Sequence, residues 1–213
     1  SAIAAGGDQY SGTAESWNGS AWANITDEPS AANSYGSAGG DNEDAIFFGG
    51  SPSGSKAQNR YWNGSSWTEL GDLNTARSNL RGAGKTYTAA LAFGGITNPS
   101  TFKTETESYN GTSWTEVADM STGRAYAGGD GTNTSALTWG GATPSNTANA
   151  ELWNGSSWSE QNNLTTARAG LANGGAGANN TSGLAYGGST GSDTGATEEF
   201  VSPTTSTVTF TAS

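Results

Sequence analysis

Short apolar runs with large side chains at alternate positions recur along the chain, and each run ends in two glycines. The full copies are Ile46-Phe47-Phe48-Gly49-Gly50, Leu91-Ala92-Phe93-Gly94-Gly95, Leu137-Thr138-Trp139-Gly140-Gly141 and Leu184-Ala185-Tyr186-Gly187-Gly188. A period of two places the first and third residues of each run on one face of a β-strand. Ile3 and Ala5 form a reduced copy near the start. The pattern therefore predicts one strand with a buried face in each repeat.

A second motif follows each run and consists of an aromatic residue, an Asn-Gly dipeptide and a closing Trp. Its clear copies begin at Trp17, Trp62, Tyr109 and Trp153, at steps of 45, 47 and 44 residues. Asn-Gly between apolar residues is the typical signal of a two-residue hairpin turn. With that turn, the two aromatic residues would lie diagonally on one face. We therefore predict that each motif is the tip of a β-hairpin that carries an aromatic pair.

Each repeat then contains four antiparallel strands, here called a to d. Strand a is Gly-rich, as in Arg81-Gly82-Ala83-Gly84, and its small residues suit a crowded position near an axis. Strand b is the apolar run, strand c ends at the first aromatic residue, and strand d begins at the second. Four-stranded sheets repeated around an axis form a β-propeller, which is the predicted architecture.

The order of these features resembles the kelch repeat. The closest stretch runs from Gly94-Gly95 through Tyr109, Trp114 and Met120 to Arg124. The resemblance covers nearly the whole chain and implies an all-β propeller of four-stranded antiparallel blades. The chain departs from the kelch pattern in its shorter c to d loop and in its weak terminal copies.

The strand count indicates five blades in a single domain over residues 1–213. The predicted blades cover approximately residues 1–30, 31–75, 76–122, 123–166 and 167–213. The first blade lacks its inner strand, and Thr207-Val208-Thr209-Phe210-Thr211 would be the last strand of the fifth. The missing strand would come from a neighbouring chain or from residues outside this sequence, unless the ring closes with a three-stranded blade. An open segment of a larger propeller is the alternative architecture.

Charged residues also recur at fixed positions. An arginine follows the hairpin Trp by ten residues at Arg77, Arg124 and Arg168. A glutamate precedes the aromatic residue of strand c by two residues at Glu107, Glu151 and Glu198. The second blade has Ala32 and Arg60 in these two places, so it lacks both members together. We predict buried Arg-Glu pairs within blades three to five, with Arg60 in the cationic place of blade two; binding of an anionic ligand is the alternative role.

The tryptophans that close the hairpin tips are predicted to be structural, packed between neighbouring blades. They are Trp22, Trp67, Trp114 and Trp158. The first aromatic residue of each pair lies beside the tip, where we expect partial exposure. An exposed aromatic ring in that place is a candidate platform for stacking a sugar.

The composition restricts the chemistry. The chain has no Cys and no His, which removes the usual zinc sites and Ser-His or Cys-His catalysis, so we expect no enzyme activity and no cofactor. A net charge of -11 with only eight Lys and Arg disfavours nucleic acid, and no apolar run is long enough to insert into a membrane. Asp41-Asn42-Glu43-Asp44 offers oxygen ligands of the kind calcium takes but matches no defined calcium loop, so we expect a solvated turn and no metal.

The b to c loops vary most among the repeats, and variable loops on a constant framework are where recognition usually occurs. The candidate ligand-binding residues there are Tyr10, Asn98, Phe102, Asn146 and Asp193. The near-identical copies also look like repeat proteins of marine bacteriophages. That resemblance implies an extracellular or virion-surface module of tail-fibre, decoration or receptor-binding type, with protein partners or a cell-surface glycan. A multivalent five-bladed lectin is the alternative function.

Overall fold

The computed structural model of the chain describes residues 1–7, 11–51, 53–97, 100–171 and 182–201. Within these ranges the chain forms strands, turns and loops, and every strand pair is antiparallel. The described ranges contain no helix long and apolar enough to cross a membrane. The prediction of an all-β fold built from antiparallel sheets is confirmed.

The strands form five sheets, numbered here in chain order, and one small separate hairpin. Sheet 1 contains β1 (Ala2–Ala5), β2 (Ala14–Trp17) and β3 (Trp22–Ile25). Sheet 2 contains β4 (Asn33–Gly39), β5 (Ala45–Ser51), β6 (Asn59–Trp62) and β7 (Trp67–Leu70). Next come β8 (Arg81–Thr86), β9 (Ala89–Phe93), β10 (Ile96–Thr97), β11 (Thr101–Phe102), β12 (Thr106–Tyr109) and β13 (Trp114–Val117). Sheet 3 consists of β8, β9, β12 and β13, and β10 and β11 form the separate hairpin.

The remaining strands complete the repeat. Sheet 4 contains β14 (Gly128–Thr132), β15 (Ser135–Trp139), β16 (Ala150–Trp153) and β17 (Trp158–Gln161), and sheet 5 contains β18 (Ser182–Tyr186) and β19 (Thr197–Val201). In each sheet the strands follow one another in chain order, as predicted for strands a to d. The predicted strand a of the fifth blade and the predicted final strand at 207–211 lie largely or wholly outside the described residues.

The hairpin tips differ from the predicted two-residue turn. Trp62 pairs directly with Trp67, so four residues connect the strands and the rings lie opposite rather than diagonal to each other. Asn63 explains the longer loop, because its side-chain Oδ1 accepts the backbone N–H groups of Ser65 (3.0 Å) and Ser66 (2.9 Å). The tips of sheets 1, 3 and 4 have the same register. The prediction of diagonal aromatic pairs is therefore wrong, although both rings do share one face.

Consecutive sheets pack face to face through apolar side chains. Phe48 of sheet 2 lies edge-on to Trp114 of sheet 3, with ring centroids 4.8 Å apart. Phe93 of sheet 3 meets Trp158 of sheet 4 in the same way, at 5.1 Å. Between sheets 4 and 5, Trp139 belongs to a buried cluster that includes residues of both sheets. The core is thus divided into one cluster for each of these junctions.

The first strands of sheets 2, 3 and 4 lie close together, β4 beside β8 and β8 beside β14. Glycine is required at this crowded position, because a Cβ on Gly82 would come within 2.3 Å of the Ser37 carbonyl oxygen. At one end these strands and β1 surround a cavity of about 290 Å³. The Gly-rich strands therefore lie where the sheets converge, as their composition predicted.

A series of backbone hydrogen bonds at the loop end runs from Ser34, near the start of β4, to residues in the connections that follow sheets 2, 3 and 4. Asn79 N–H donates to Ser34 O (2.8 Å), Tyr126 N–H to Asn79 O (3.1 Å), and Gly170 N–H to Tyr126 O (2.9 Å). All four residues have a positive φ, between 55° and 67°. Since non-glycine residues rarely adopt this conformation, its repetition indicates one shared geometry at every step between these sheets.

The antiparallel order places the connections at two opposite ends of the sheets. The hairpin end carries the c to d tips and the a to b turns. The loop end carries the b to c loops and the connections between successive sheets, including the positive-φ residues described above.

Candidate functional site

Arg124 lies in the connection from sheet 3 to sheet 4 and is bonded to both. Its backbone N–H donates to Lys103 O (3.2 Å) and its carbonyl accepts from Gly95 N–H (2.8 Å), both on the sheet 3 side. Its side chain reaches sheet 4, where Nη1 donates to Asn149 O at 2.6 Å and Nη2 pairs with the Glu151 carboxylate. The residue therefore fixes one sheet against the next.

Arg77 and Arg168 make the same contacts at the two neighbouring junctions, each with Nη2 2.8 Å from a glutamate Oε1. The second glutamate oxygen accepts a backbone N–H three residues before the arginine, from Asn74 (2.7 Å), Ser121 (2.7 Å) or Thr165 (2.6 Å). The predicted pairs are therefore present in the structure, as Arg77–Glu107, Arg124–Glu151 and Arg168–Glu198.

These ion pairs are removed from solvent. Burial lowers the pKa of Arg77 and Arg124, and the paired carboxylate of each opposes that change. Glu198 is the most exposed member, with 21% of its side chain accessible. Burial tends to raise its pKa, but hydrogen bonds from Thr165 and Arg168 outweigh burial and hold the pKa below its usual value. Because these guanidinium groups are buried and paired, the geometry argues against their use for an external anion.

The junction between sheets 1 and 2 carries its ion pair in a different place. Glu28 is only 2% exposed, and its carboxylate accepts Arg60 Nε at 3.0 Å, the Ser30 hydroxyl at 2.6 Å and the Tyr35 hydroxyl at 2.5 Å. Burial, together with the hydrogen bond to Glu28, raises the pKa of Tyr35 to about 12. Arg60 is the cation of this junction, as predicted. Its partner was not predicted, because Glu28 stands where the other repeats have Leu73, Met120 and Leu164.

The first aromatic residues of sheets 2 to 4 are buried, contrary to expectation. Trp62, Tyr109 and Trp153 are each at most 2% exposed. The tryptophans lie under the a to b turn of their own sheet, where Trp62 Nε1 donates to Asn42 O (2.9 Å) and Trp153 Nε1 donates to Asn133 O (3.0 Å). The expected partial exposure is therefore wrong for these three rings, which offer no platform to a sugar, whereas Trp17 of sheet 1 is half-buried as expected.

The second aromatic residues contact the preceding sheet in three of four cases. Trp114 packs on Phe48, Trp158 Nε1 donates to Thr106 Oγ1 (3.0 Å), and Trp67 Nε1 donates to Thr26 O (2.7 Å). These contacts agree with the structural role that the sequence predicted.

Trp22 is the exception, since it is 50% exposed and rests on Trp17 with ring centroids 5.7 Å apart. The physical reason is its position in sheet 1, which has no preceding sheet among the described residues. Tyr186 of sheet 5 occupies the place of Phe48 and Phe93 and is 38% exposed. The outer faces of the first and last sheets thus both present aromatic surface.

The acidic turn at 41–44 is held by hydrogen bonds. Asp41 Oδ1 accepts the Glu43 N–H (2.8 Å), and Asp44 Oδ1 accepts the Tyr87 N–H (2.9 Å) of the neighbouring sheet. No group of three metal-ligating side chains occurs among the described residues. The carboxylates at positions 41 and 44 thus serve turn geometry and the contact between sheets 2 and 3.

The loop end contains the described members of the predicted recognition set. Asn146 is exposed and its Nδ2 donates to Ser189 O (2.7 Å) in the next sheet's loop, and Asp193 is exposed and forms a β-bridge with Ser189. The structure therefore brings these two loops together. Phe102 is half-buried in the β10–β11 hairpin, which forms part of the b to c loop of sheet 3. Tyr10 and Asn98 lie outside the described residues.

A second cavity, of about 370 Å³, opens at the loop end. It is lined by Ala5 of sheet 1, by Tyr35 and Phe47 of sheet 2, and by Arg81 of sheet 3, among others. Sequence reasoning did not select Arg81. The available signal was an arginine at a position where the other repeats have Gly36, Gly128 and Ala172.

Comparison with known proteins adds no relative. No family model matches the chain, and no curated protein matches it. The likeness to kelch repeats and to phage repeat proteins therefore stays a prediction from the repeat pattern.

Proposed function

We propose that the five sheets are the blades of a kelch-like β-propeller forming a single domain. The observation that carries this proposal is the repetition of one geometry from sheet to sheet. The backbone hydrogen bond between positive-φ residues recurs three times, and so does the arginine that bonds to two sheets. A constant step between sheets whose first strands converge generates a ring.

We propose further that this propeller is a non-enzymatic binding or structural module of an extracellular or virion surface. Its charged network at sheet junctions serves the framework, and its b to c loops at the loop end vary among the repeats. This combination suits a tail-fibre, decoration or receptor-binding component whose loop end meets a protein or glycan. Among the described residues, β1 has a hydrogen-bonded neighbour on one side only, so a partner strand is proposed to complete sheet 1.

A lectin with one aromatic platform per blade has weaker support. Trp62, Tyr109 and Trp153 would have to be the platforms, and all three are buried. Glycan recognition, if located at repeated sites, would then need other residues in each blade.

Solution scattering with electron microscopy tests the architecture. A compact chain of 213 residues has a radius of gyration of about 17 Å, and averaged images should show a disc with five lobes. A clearly larger radius with a rod-like or curved array of sheets would contradict the ring.

Binding at the loop end is tested by labelling the protein at one introduced cysteine. The chain has no Cys, so Ser65→Cys at an exposed hairpin tip gives a single labelling site far from the loops. Asn146→Ala and Asp193→Ala should reduce binding to bacterial cells in flow cytometry, whereas the hairpin-tip control Ser156→Ala should not. Equal effects of the loop and tip variants, or no binding by any folded protein, would refute this assignment.

A further inference from the structure

Arg81 is the first residue of β8 and reaches across the loop end toward sheets 4 and 5. Its Nε donates to Ala127 O, and its Nη2 donates to Leu171 O at 2.5 Å. The same side chain lines the 370 Å³ cavity formed with sheets 1 and 2. Arg81 therefore lies where the sheets converge, bonded through its guanidinium to carbonyl groups on the side of sheets 4 and 5 and bordering a cavity on the side of sheets 1 and 2.

This guanidinium differs from every other arginine in its charge environment. Arg60, Arg77, Arg124 and Arg168 each form a salt bridge with a glutamate. No carboxylate among the described residues forms one with Arg81, and burial lowers the pKa of Arg81 to about 10. A half-buried cation bonded to neutral carbonyl groups is an arrangement that an external anion would stabilise.

The cavity offers more than a charge. Asn33, Ser34 and Ser37 supply amide and hydroxyl groups, and Tyr35 and Phe47 supply aromatic surface. Its volume falls within the range of about 300–1,000 Å³ that small-molecule sites occupy. Sheet 2 therefore supplies both the hydrogen-bonding groups and the aromatic rings of this cavity, a combination suited to a polyhydroxylated ring.

Departures from the repeat concentrate around this cavity. Ala5 replaces the aromatic residue that ends strand b elsewhere, and Phe47 replaces a small residue. Tyr35 likewise stands where the other repeats have an aliphatic residue, and Arg81 stands where they have glycine or alanine. Ala5 corresponds to Phe48, Phe93, Trp139 and Tyr186, and Phe47 corresponds to Ala92, Thr138 and Ala185. Tyr35 corresponds to Leu80, Ala127 and Leu171, and Arg81 corresponds to Gly36, Gly128 and Ala172. Tyr35 also donates to Glu28 and Phe47 also packs against Trp67, but all four residues line this one cavity, which makes it chemically distinct from the corresponding places in the other sheets.

We propose that this cavity binds an acidic monosaccharide of the uronic-acid class, with its carboxylate on Arg81. The planar guanidinium matches a carboxylate, and the sugar hydroxyls meet the Asn33, Ser34 and Ser37 side. The inference rests on the proposed function only in taking the loop end as the binding face. It predicts one site for each chain, since the departures occur once.

Isothermal titration with D-glucuronate tests the site, with D-glucose and acetate as separate probes. Glucuronate should bind the wild-type chain with 1:1 stoichiometry and a dissociation constant of about 0.1–1 mM. Glucose should give no saturable signal because it lacks the anion. Acetate should bind at least about tenfold more weakly, a loss of about 1.4 kcal/mol, because it lacks the hydroxyls.

Arg81→Met should weaken glucuronate binding at least about tenfold. Lys85→Met is the matched control, since it removes one positive charge from an exposed position of the same strand and should leave affinity unchanged. Arg81→Lys keeps the charge but loses the planar guanidinium, so its affinity for glucuronate should lie between that of the wild type and that of Arg81→Met. Circular dichroism establishes that each variant is folded.

Failure of Arg81→Met to fold does not prevent the test, because the wild-type titrations decide it alone. The proposal is overturned if folded wild-type protein shows no saturable glucuronate binding, or if glucose or acetate binds as tightly. It is also overturned if a folded Arg81→Met variant binds like the wild type. A ring seen by microscopy and cell binding that depends on Asn146 would leave the proposed function intact in each of these cases.

Discussion

Replacing Glu151 by glutamine tests whether the ion pairs at the junctions hold the sheets together. Glu151 is fully buried between Arg124 and the Ser121 N–H, which lies 2.7 Å from Oε2. The amide keeps the shape but removes the charge, so the guanidinium remains buried without a counter-ion. Breaking one side of a buried ion pair costs about 3–5 kcal/mol of unfolding free energy. At about 2–4 °C for each kcal/mol in a chain of this size, Tm should fall by roughly 6–20 °C.

Glu198→Gln is the matched control, because Glu198 makes the same contacts with its side chain 21% exposed. Water can reach the Glu198 side of this pair although Arg168 itself is buried, so we expect the smaller loss of a charged hydrogen bond, about 1.5–3 kcal/mol. Scanning calorimetry and urea unfolding of both variants give the two free energies. Equal losses for Glu151→Gln and Glu198→Gln, or a loss below about 1 kcal/mol for the buried member, would refute this account of the junction.

Three further predictions concern the aromatic positions, the alkaline limit of stability and the crowded first strands. Trp114→Ala, which opens a buried cavity, should cost about 3–5 kcal/mol in urea unfolding, whereas Trp22→Ala on the exposed face should cost below about 1 kcal/mol; similar costs would contradict the burial difference. The pKa of Tyr35 is raised to about 12, so its contribution to stability is complete below pH 10 and is lost as pH rises toward 12. Burial also raises the pKa of Tyr61 and Tyr109, so ultraviolet titration of tyrosinate should show several late-ionising groups, of which Tyr35→Phe removes the one near pH 12; an unchanged titration would exclude the assignment. Gly82→Ala places a Cβ 2.3 Å from a backbone carbonyl oxygen and should cost about 1–3 kcal/mol, and a neutral effect on Tm would show that β4 and β8 can separate freely.

Strands, their order and the recurring ion pairs were accessible from sequence because they follow fixed spacings. Alternation predicted β5, β9 and β15, and the joint loss of arginine and glutamate in one repeat predicted which charges meet. The length of the hairpin loop and the burial of the first aromatic residue depend instead on local hydrogen bonds. The Asn63 side chain lengthens the hairpin loop to four residues, and the Asn42 carbonyl holds the Trp62 indole beneath a turn. Neither contact follows from periodicity, so the register and the aromatic burial were mispredicted.

Glu28 and Arg81 do not follow from the features that the repeats share. Each is a charged residue at a position that is apolar or small in the other copies. Comparing repeats for their exceptions would have selected both. The exceptions matter physically because a charge in such a position must find a partner or remain desolvated. Glu28 finds Arg60 and Tyr35, whereas Arg81 finds only carbonyl groups in the described part of the chain.

This contrast separates two ways in which a repeat array can bind a ligand. A site built from the shared motif would appear once in each sheet, and the shared aromatic residues that could form it are buried in sheets 2 to 4. A site built from the exceptions appears once in the molecule, beside Arg81. The number of glucuronate molecules bound by each chain therefore discriminates between the two kinds of site. One bound molecule supports the cavity at the loop end, whereas several equivalent sites would indicate binding by the motif that the sheets share.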